Sequence, residues 1–411
     1  MAEVARSRPA ASEVAGRSLR PAWAEIDVGA VRHNARLLCS VASPASLCAV
    51  VKADGYGHGA LSVARAALEG GAACLAVATV EEGLALREGG VAAPVLLLSE
   101  PPEGAMGEVV SSGITPTLYS PAGVRSAQQA AAAAGRRAPV QVKVDTGMHR
   151  VGADPSELEQ VLEAVASAPN LEYSALWTHL AVADGDSEED RRFTEKQLRL
   201  FAELRLRAAA FGAPPPMAHA ANSAATFCFP ESRLDLVRCG IALYGLAPSR
   251  ATEKAVAALA RTAGPAGEGL LPAMSLRAQV SHVRRLEAGE RPSYGRLYEL
   301  AAPSVVATVP LGYADGVPRR YFTEGGSVLV GGHRRPLAGS VTMDQIVVDC
   351  DGEAEVAVGD EVVLIGEQGG ERLTAWDWAD VLGTIGYEVL TSIGARVPRV
   401  VVDSGRDRGS R

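Results

Sequence analysis

Lysine is scarce in this 411-residue chain, and any lysine chemistry is confined to Lys52, Lys143, Lys196 and Lys254. Lys52 ends an apolar run and opens Lys52-Ala53-Asp54-Gly55-Tyr56-Gly57-His58-Gly59. A desolvated lysine sheds its proton readily and forms Schiff bases with carbonyl compounds. Other side chains able to do chemistry recur at comparable places. Arg150 follows Lys143-Val144-Asp145-Thr146-Gly147. His179 closes one apolar run; His219, Asn222 and Ser223 close another; Arg238 and Gly240 lie on a third. Ser223 with Gly240 and Ile241 offers a hydroxyl and backbone N–H groups to a phosphate. Tyr56 adds a phenol four residues after Lys52, and His179 is an imidazole able to stack on a ring. A lysine, a phosphate cradle and a partner for a ring nitrogen are what pyridoxal phosphate needs. Singly, each residue reads as an ordinary turn or a satisfied histidine. Their recurrence at five run ends is the signal.

Those run ends belong to a regular alternation. Eight strand-like segments lie at Cys48–Asp54, Cys74–Thr79, Val95–Ser99, Thr115–Tyr119, Val140–Asp145, Tyr173–His179, Met217–Asn222 and Leu236–Ile241. Helical stretches separate them, among them Val80–Glu88, Pro121–Ala134 and Asp190–Phe211. Strand–helix alternation predicts a parallel sheet covered by helices, and eight units predict a closed (β/α)8 barrel. Active sites of such barrels form at the carboxyl ends of the strands, where the reactive residues fall. A doubly wound nucleotide-binding sheet is disfavoured, because no GxGxxG opens the first helix.

From Arg250 to Pro272 the chain turns Ala/Gly/Pro-rich and loses periodicity. Beyond it, Leu276–Leu286, Val305–Pro310, Ser327–Val330, Gln345–Asp349 and Glu361–Ile365 read as strands, with one helix near Thr374–Leu382. The expected α/β organisation is thus a disordered N-terminal tail (1–20), an N-terminal (β/α)8 barrel (21–255) and a linker or insertion (256–272). A C-terminal mainly-β domain (273–405) and a short tail (406–411) follow.

Composition removes several classes of function. The net charge of −8 argues against nucleic-acid binding, which needs a basic patch. Cys39, Cys48, Cys74, Cys228, Cys239 and Cys350 form no CxxC pair, so neither a metal site nor a disulfide framework is expected. No apolar run is long enough to span a membrane, and the N-terminus lacks the apolar core of a secretory signal. A cytoplasmic location follows as the expectation.

The motifs together resemble the alanine racemase family, in order from Trp23 to Arg399. They are Trp23-Ala24-Glu25-Ile26-Asp27, Ala49 to Gly59, Asp145-Thr146-Gly147-Met148, Asn222-Ser223-Ala224-Ala225, Arg238 to Gly245, Ser293-Tyr294-Gly295, Gly312 to Gly316 and Met343-Asp344-Gln345. The resemblance implies a pyridoxal 5'-phosphate enzyme that interconverts L- and D-alanine, supplying D-alanine for peptidoglycan. Lys52 then anchors the cofactor and is the base on one face; Tyr294 is the base on the other. The family is homodimeric, with Tyr294 completing the partner's site. Arg238 is implied as the ring-nitrogen partner, and Tyr56, Ser223, Gly240, Ile241 and Tyr387 as phosphate ligands. Asn222 also falls in the cofactor site. His179 links Tyr294 toward Arg238, and His219 supports that arginine. Arg150 and the backbone near Met343 resemble the substrate-carboxylate site. Lys143 resembles a lysine often carbamylated to hold Arg150, and Tyr313 and Asp344 line the entrance or back the site. Two positions depart from the pattern: Ser340 and Thr342 stand where Arg and Cys are usual. Ser340 removes a charge near the carboxylate loop, so a racemase of another small amino acid, such as serine, is the alternative. A fold-related decarboxylase pairs its ring nitrogen with a carboxylate, unlike Arg238. A non-catalytic cofactor carrier would not need the domain bearing Tyr294.

Overall fold

The computed structural model describes residues 19–263 and 269–405. The chain divides into two compact units. One comprises Asp27–Ala273 with Asp403–Arg411; the other comprises Met1–Ile26 with Met274–Val402. The expected tails over 1–20 and 406–411 lie outside the described residues, apart from Leu19 and Arg20.

In the first unit, eight parallel strands run Ser46–Val50, Cys74–Val77, Val95–Leu97, Ile114–Leu118, Ala138–Lys143, Leu171–Trp177, Ala218–His219 and Leu236–Cys239. Seven successive neighbours pair around the sheet. Its two ends meet through Asp235 N–H to Ala218 O at 3.1 Å and Arg238 N–H to Ala221 O at 3.0 Å, closing the barrel. These are the eight segments expected from the sequence, trimmed at their carboxyl ends, where the reactive residues leave the strands. Helices follow the strands, and several of their starts are capped by the local sequence. Thr79 and Glu82 form a capping box on Val80–Glu88; Ser187 and Asp190 form another on Glu188–Ala210. Phe201 and Leu204 of the latter helix join the core with Val140, Val142 and Leu176. Burying such a side chain contributes about 1.5–3 kcal/mol.

The second unit is mainly β, with a seven-stranded and a three-stranded sheet. Leu276–Leu286 reads as one strand in sequence but forms two, Met274–Gln279 and His282–Leu286. Between them the chain changes sheets: Val280 donates to Asp360 O, whereas Ser281 donates to Thr308 O. The helix Gly386–Ser392 and the strand Arg399–Val402 were not anticipated.

Three boundaries differ from expectation. Ala22–Asp27, placed with the barrel, pairs antiparallel with Met274–Gln279, its alternating buried face formed by Ala22, Ala24 and Ile26. Only a long-range partner distinguishes such a strand from a barrel strand. Glu253–Ala263, placed across the start of the linker, is a helix. Its Ala-rich composition hides a periodic pattern but favours helix. Finally, Asp403–Gly405 returns to the barrel unit, where Ser404 N–H donates to the Asp27 carboxylate at 3.2 Å. Among the described residues no helix is long and apolar enough to cross a membrane, and no group of three His, Cys, Asp or Glu could hold a metal.

Candidate active site

Lys52 begins an unusual turn directly after the first barrel strand. Ala53, Asp54 and Tyr56 all have positive φ (53°, 50° and 51°), so the chain makes a short left-handed coil. That conformation costs an L-residue about 1–2 kcal/mol. Local bonds hold it: Gly55 N–H to Val51 O, Gly57 N–H to Ala53 O, and the Asp54 carboxylate accepting from Ala60 N–H. The coil projects Lys52 and Tyr56 from one short segment. Burial, then the nearby Arg150 cation, hold the Lys52 amine below the ordinary lysine range, partly offset by Glu82.

Tyr56 lies against Gly240. A Cβ on Gly240 would sit 2.2 Å from the Tyr56 hydroxyl, so only glycine admits the phenol there. Gly240 N–H donates to Ser223 Oγ at 3.0 Å. Asn222 caps the helix Ser223–Cys228 by accepting from Ala225 N–H. Ile241 opens the next short helical turn, where amide protons lack helical acceptors. Burial raises the Tyr56 phenol well above its ordinary range, so it remains a donor. Phenol, hydroxyl and backbone amides around a side-chain-free position form a cradle suited to a phosphate.

Behind the cradle lies a buried cation. Arg238 is 3% exposed. It donates to Thr178 O at 2.8 Å, Ala220 O at 3.0 Å, His219 Nδ1 at 2.5 Å and His179 Nδ1 at 3.3 Å. These acceptors are uncharged, and burial pushes the guanidinium down to about 10, which still leaves it protonated near neutrality. Arginine has no acceptor to offer, so both Nδ1 atoms must be lone pairs and both imidazoles carry hydrogen on Nε2. Burial and the Arg238 charge hold both histidines far below their ordinary range, consistent with neutral rings. His219 passes its Nε2 hydrogen to Gln141 Oε1 at 3.0 Å. Trp177 stacks on His219 (5.5 Å between centroids), with Arg238 Cζ 4.5 Å and Lys143 Nζ 4.4 Å from its ring centroid. Lys143 is buried, and desolvation, then Arg238 and Arg150, lower its amine to about 7.

The barrel thus gathers Lys52, Tyr56, Lys143, Arg150, His179, His219, Asn222, Ser223, Arg238, Gly240 and Ile241 around its carboxyl end. The remaining candidates belong to the β unit. Tyr294 is 70% exposed on a turn braced by Ser293 Oγ donating to Ser340 O at 2.6 Å. Tyr313 N–H donates to Thr342 O and Ala314 N–H to Met343 O. Asp344 accepts from Arg396 at 2.7 Å, and Arg396 also pairs with buried Asp315, which Arg20 grips bidentately. Tyr387 lies on the helix Gly386–Ser392. The turns bearing Tyr294, Tyr313, Met343 and Asp344 therefore form one braced surface. Ser340, by contrast, is buried and holds the Tyr294 turn through its carbonyl.

Sequence reasoning passed over Glu82, Gln141, Thr178 and Trp177. Two carried a signal. Glu82 completes the Thr-x-x-Glu capping pattern, and Gln141 precedes Lys143 by one strand period.

Comparison with known proteins matches the same two parts. The model of the alanine racemase N-terminal domain matches residues 26–248, and that of the C-terminal domain matches residues 273–401. An alanine racemase of Symbiobacterium thermophilum is 42% identical over 381 residues, covering 93% of this chain and 97% of the relative. Alanine racemase from D-cycloserine-producing Streptomyces lavendulae superposes with a TM-score of 0.85 at 39% identity, over 94% of this chain and 98% of that one. The Bacillus anthracis enzyme, described with bound L-Ala-P, gives 0.85 at 36% identity over 95% and 97%. The Bartonella henselae enzyme, described with covalently bound pyridoxal phosphate, gives 0.79 at 32% identity over 93% and 99%. With both domain models matched in order and about 40% identity over nearly its whole length, this chain belongs to the alanine racemase family.

Proposed function

We propose that the chain interconverts L- and D-alanine with pyridoxal 5'-phosphate, Lys52 and Tyr294 acting as bases on opposite faces of the substrate. The observation that carries this reading is the placing of Lys52, its amine held below the ordinary lysine range by burial, on the same coil as Tyr56, whose phenol lies against Gly240 in the cradle. The donor set fits the cofactor: an amine for its aldehyde, the Tyr56–Ser223–Gly240–Ile241 cradle for its phosphate, Arg238 for its ring nitrogen. Tyr387 would add a further phosphate ligand. When bound, pyridoxal phosphate supplies the electron sink that makes the substrate Cα–H removable.

The protein's own groups set the rest. Lys52, its amine held below the ordinary lysine range by burial and Arg150, takes or returns a proton on one face. Tyr294 does the converse on the other, which spares a single base from having to change sides. A free phenol titrates near 10, so it needs a donor to become a usable acid or base near neutrality. His179, with its hydrogen on Nε2 and Arg238 behind Nδ1, is the donor we assign. Arg238 keeps its proton and does not pass it to the ring nitrogen, which limits side reactions such as transamination. Arg150 and the backbone at Met343 hold the substrate carboxylate. Tyr313 and Asp344 back the entrance.

Lys143 is suited to carbamylation. With its amine lowered to about 7, a large share is free base near neutrality and can add carbon dioxide, releasing one proton. The resulting anion would attract Arg150 where the ammonium repels it. A homodimer in which Tyr294 completes the partner's site, a cytoplasmic location and supply of D-alanine for peptidoglycan complete the reading. Six free thiols fit a reducing compartment.

The test is incubation with L-alanine in deuterium oxide. D-alanine carrying deuterium at Cα is the expected product. Deuterated L-alanine without D-alanine would sink the two-base pairing. No exchange in cofactor-loaded protein would sink alanine as substrate and direct attention to serine and other small amino acids.

A further inference from the structure

A side chain from the neighbouring strand–helix unit of the barrel tethers the left-handed coil bearing Lys52. Ala53 N–H, the first amide after Lys52, donates to Glu82 Oε1 at 2.6 Å. The other carboxylate oxygen, Oε2, accepts from Ala78 N–H at 2.8 Å and Thr79 N–H at 3.2 Å. One carboxylate therefore bridges the exit of the first barrel strand to the exit of the second. Capping a helix would need only the Thr79 bond. The bond to Ala53 goes further and holds the first of the left-handed residues, φ 53° and ψ 51°. Left-handed backbone persists where surroundings over-determine it, and this bond is an anchor from outside the coil.

We propose that Glu82 is a positioning residue for Lys52, holding the coil so that the lysine and Tyr56 present together, and setting the charge environment of the amine. The inference rests on the functional reading above. The ionisable groups facing Lys52 are Arg150, Lys143 and His179 from other strand ends, and Glu82. Arg150 opposes a charged Lys52 and Glu82 favours it. Asp54 and Tyr56 lie on the same coil, and Tyr244 senses both Asp54 and Glu82.

Three variants separate tether from charge. Glu82→Gln keeps the shape, loses the charge, and turns an amide NH2 toward a backbone donor. Glu82→Asp keeps the charge and is one methylene too short to bridge both strand exits. Adding Ala53→Gly to either relieves the left-handed strain. The first readout is the rate at which pyridoxal phosphate, added to apo-protein and trapped with borohydride, links to Lys52 across pH. The second is kcat/KM for both alanine enantiomers. Both single variants are expected to lose about 10–100-fold in kcat/KM, the scale of a lost charged hydrogen bond. The pH profile of linkage should move down in Glu82→Gln and stay in Glu82→Asp, and Ala53→Gly should restore part of the rate. If the Gln variant does not fold, the Asp variant and its glycine rescue carry the test. Wild-type kcat/KM in the Asp variant, an unmoved linkage profile in a folded Gln variant, or a loss that Ala53→Gly does not relieve would each overturn the inference. Failure of the parent protein to link the cofactor at Lys52 would overturn the functional reading, and this one with it.

Discussion

At the scale of single residues, the site runs on groups displaced from their ordinary titration range. Lys52 and Lys143 are lowered by burial and nearby cations, and His179 and His219 are kept neutral beside a buried guanidinium. Tyr294→Phe should leave the cofactor bound and slow turnover from L-alanine more than proton exchange from D-alanine. Unchanged rates in both directions would remove Tyr294 from the chemistry. Lys143 offers a thermodynamic check. Its amine sits at about 7 in the folded chain against an ordinary value of 10.5. Between those values the unfolded chain binds the additional proton, so stability rises with pH from about 7 to about 10.5 and levels off above. In buffer free of carbon dioxide, Lys143→Met should flatten that rise in denaturation experiments. An identical slope in both proteins would exclude burial of Lys143 as its source.

At the scale of elements, the barrel positions reactive groups by how its strands end. The coil after Ser46–Val50 aims Lys52 and Tyr56, and the bend after Leu236–Cys239 leaves Gly240 bare beneath the phenol. Gly240→Ala would drive a methyl to 2.2 Å from the Tyr56 hydroxyl. The phenol must then move, and pyridoxal phosphate affinity should fall about tenfold or more, the scale of one hydrogen bond to a charged group. Equal dissociation constants by absorbance titration would place the phosphate elsewhere. Thr79 caps the helix Val80–Glu88. Thr79→Ala should cost about 1 kcal/mol, roughly 2–4 °C in Tm for a domain of this size. Because Glu82 still reaches Ala53 in that variant, the pH profile of cofactor linkage should hold. A moved profile would mean that the capping box, rather than the Glu82 tether, positions Lys52.

At the scale of the whole molecule, the proposed dimer makes a prediction that neither unit makes alone. Lys52→Ala and Tyr294→Phe homodimers should each be nearly inactive. Mixed by denaturation and refolding, they should regain activity, because one of the two sites in a hybrid holds both intact bases. If each site is built from a single chain, every hybrid site carries one lesion and mixing restores nothing. Tagging the two chains differently and isolating dimers that carry both tags checks that hybrids have formed.

How much of this was legible in the sequence follows from range. The barrel strands were, because each is a local apolar run bounded by turns, and so was the clustering of Lys52, His179, His219 and Arg238, because barrel topology sends every strand end to one rim. The family motifs added roles for Tyr294 and Met343 that no periodicity could supply. What the sequence withheld was pairing at a distance. Ala22–Asp27 alternates like any strand, and only its partner Met274–Gln279 assigns it to the β unit. The left-handed coil after Lys52 is strained for Ala53 and Tyr56, so no local propensity announces it. Gln141 behind His219, Trp177 beneath two cations and Glu82 across two strand exits are ordinary residues in one dimension. They take on function only where the closed barrel brings separate strands within hydrogen-bonding distance, because burial, charge and strain are properties of the assembled surroundings rather than of residue type.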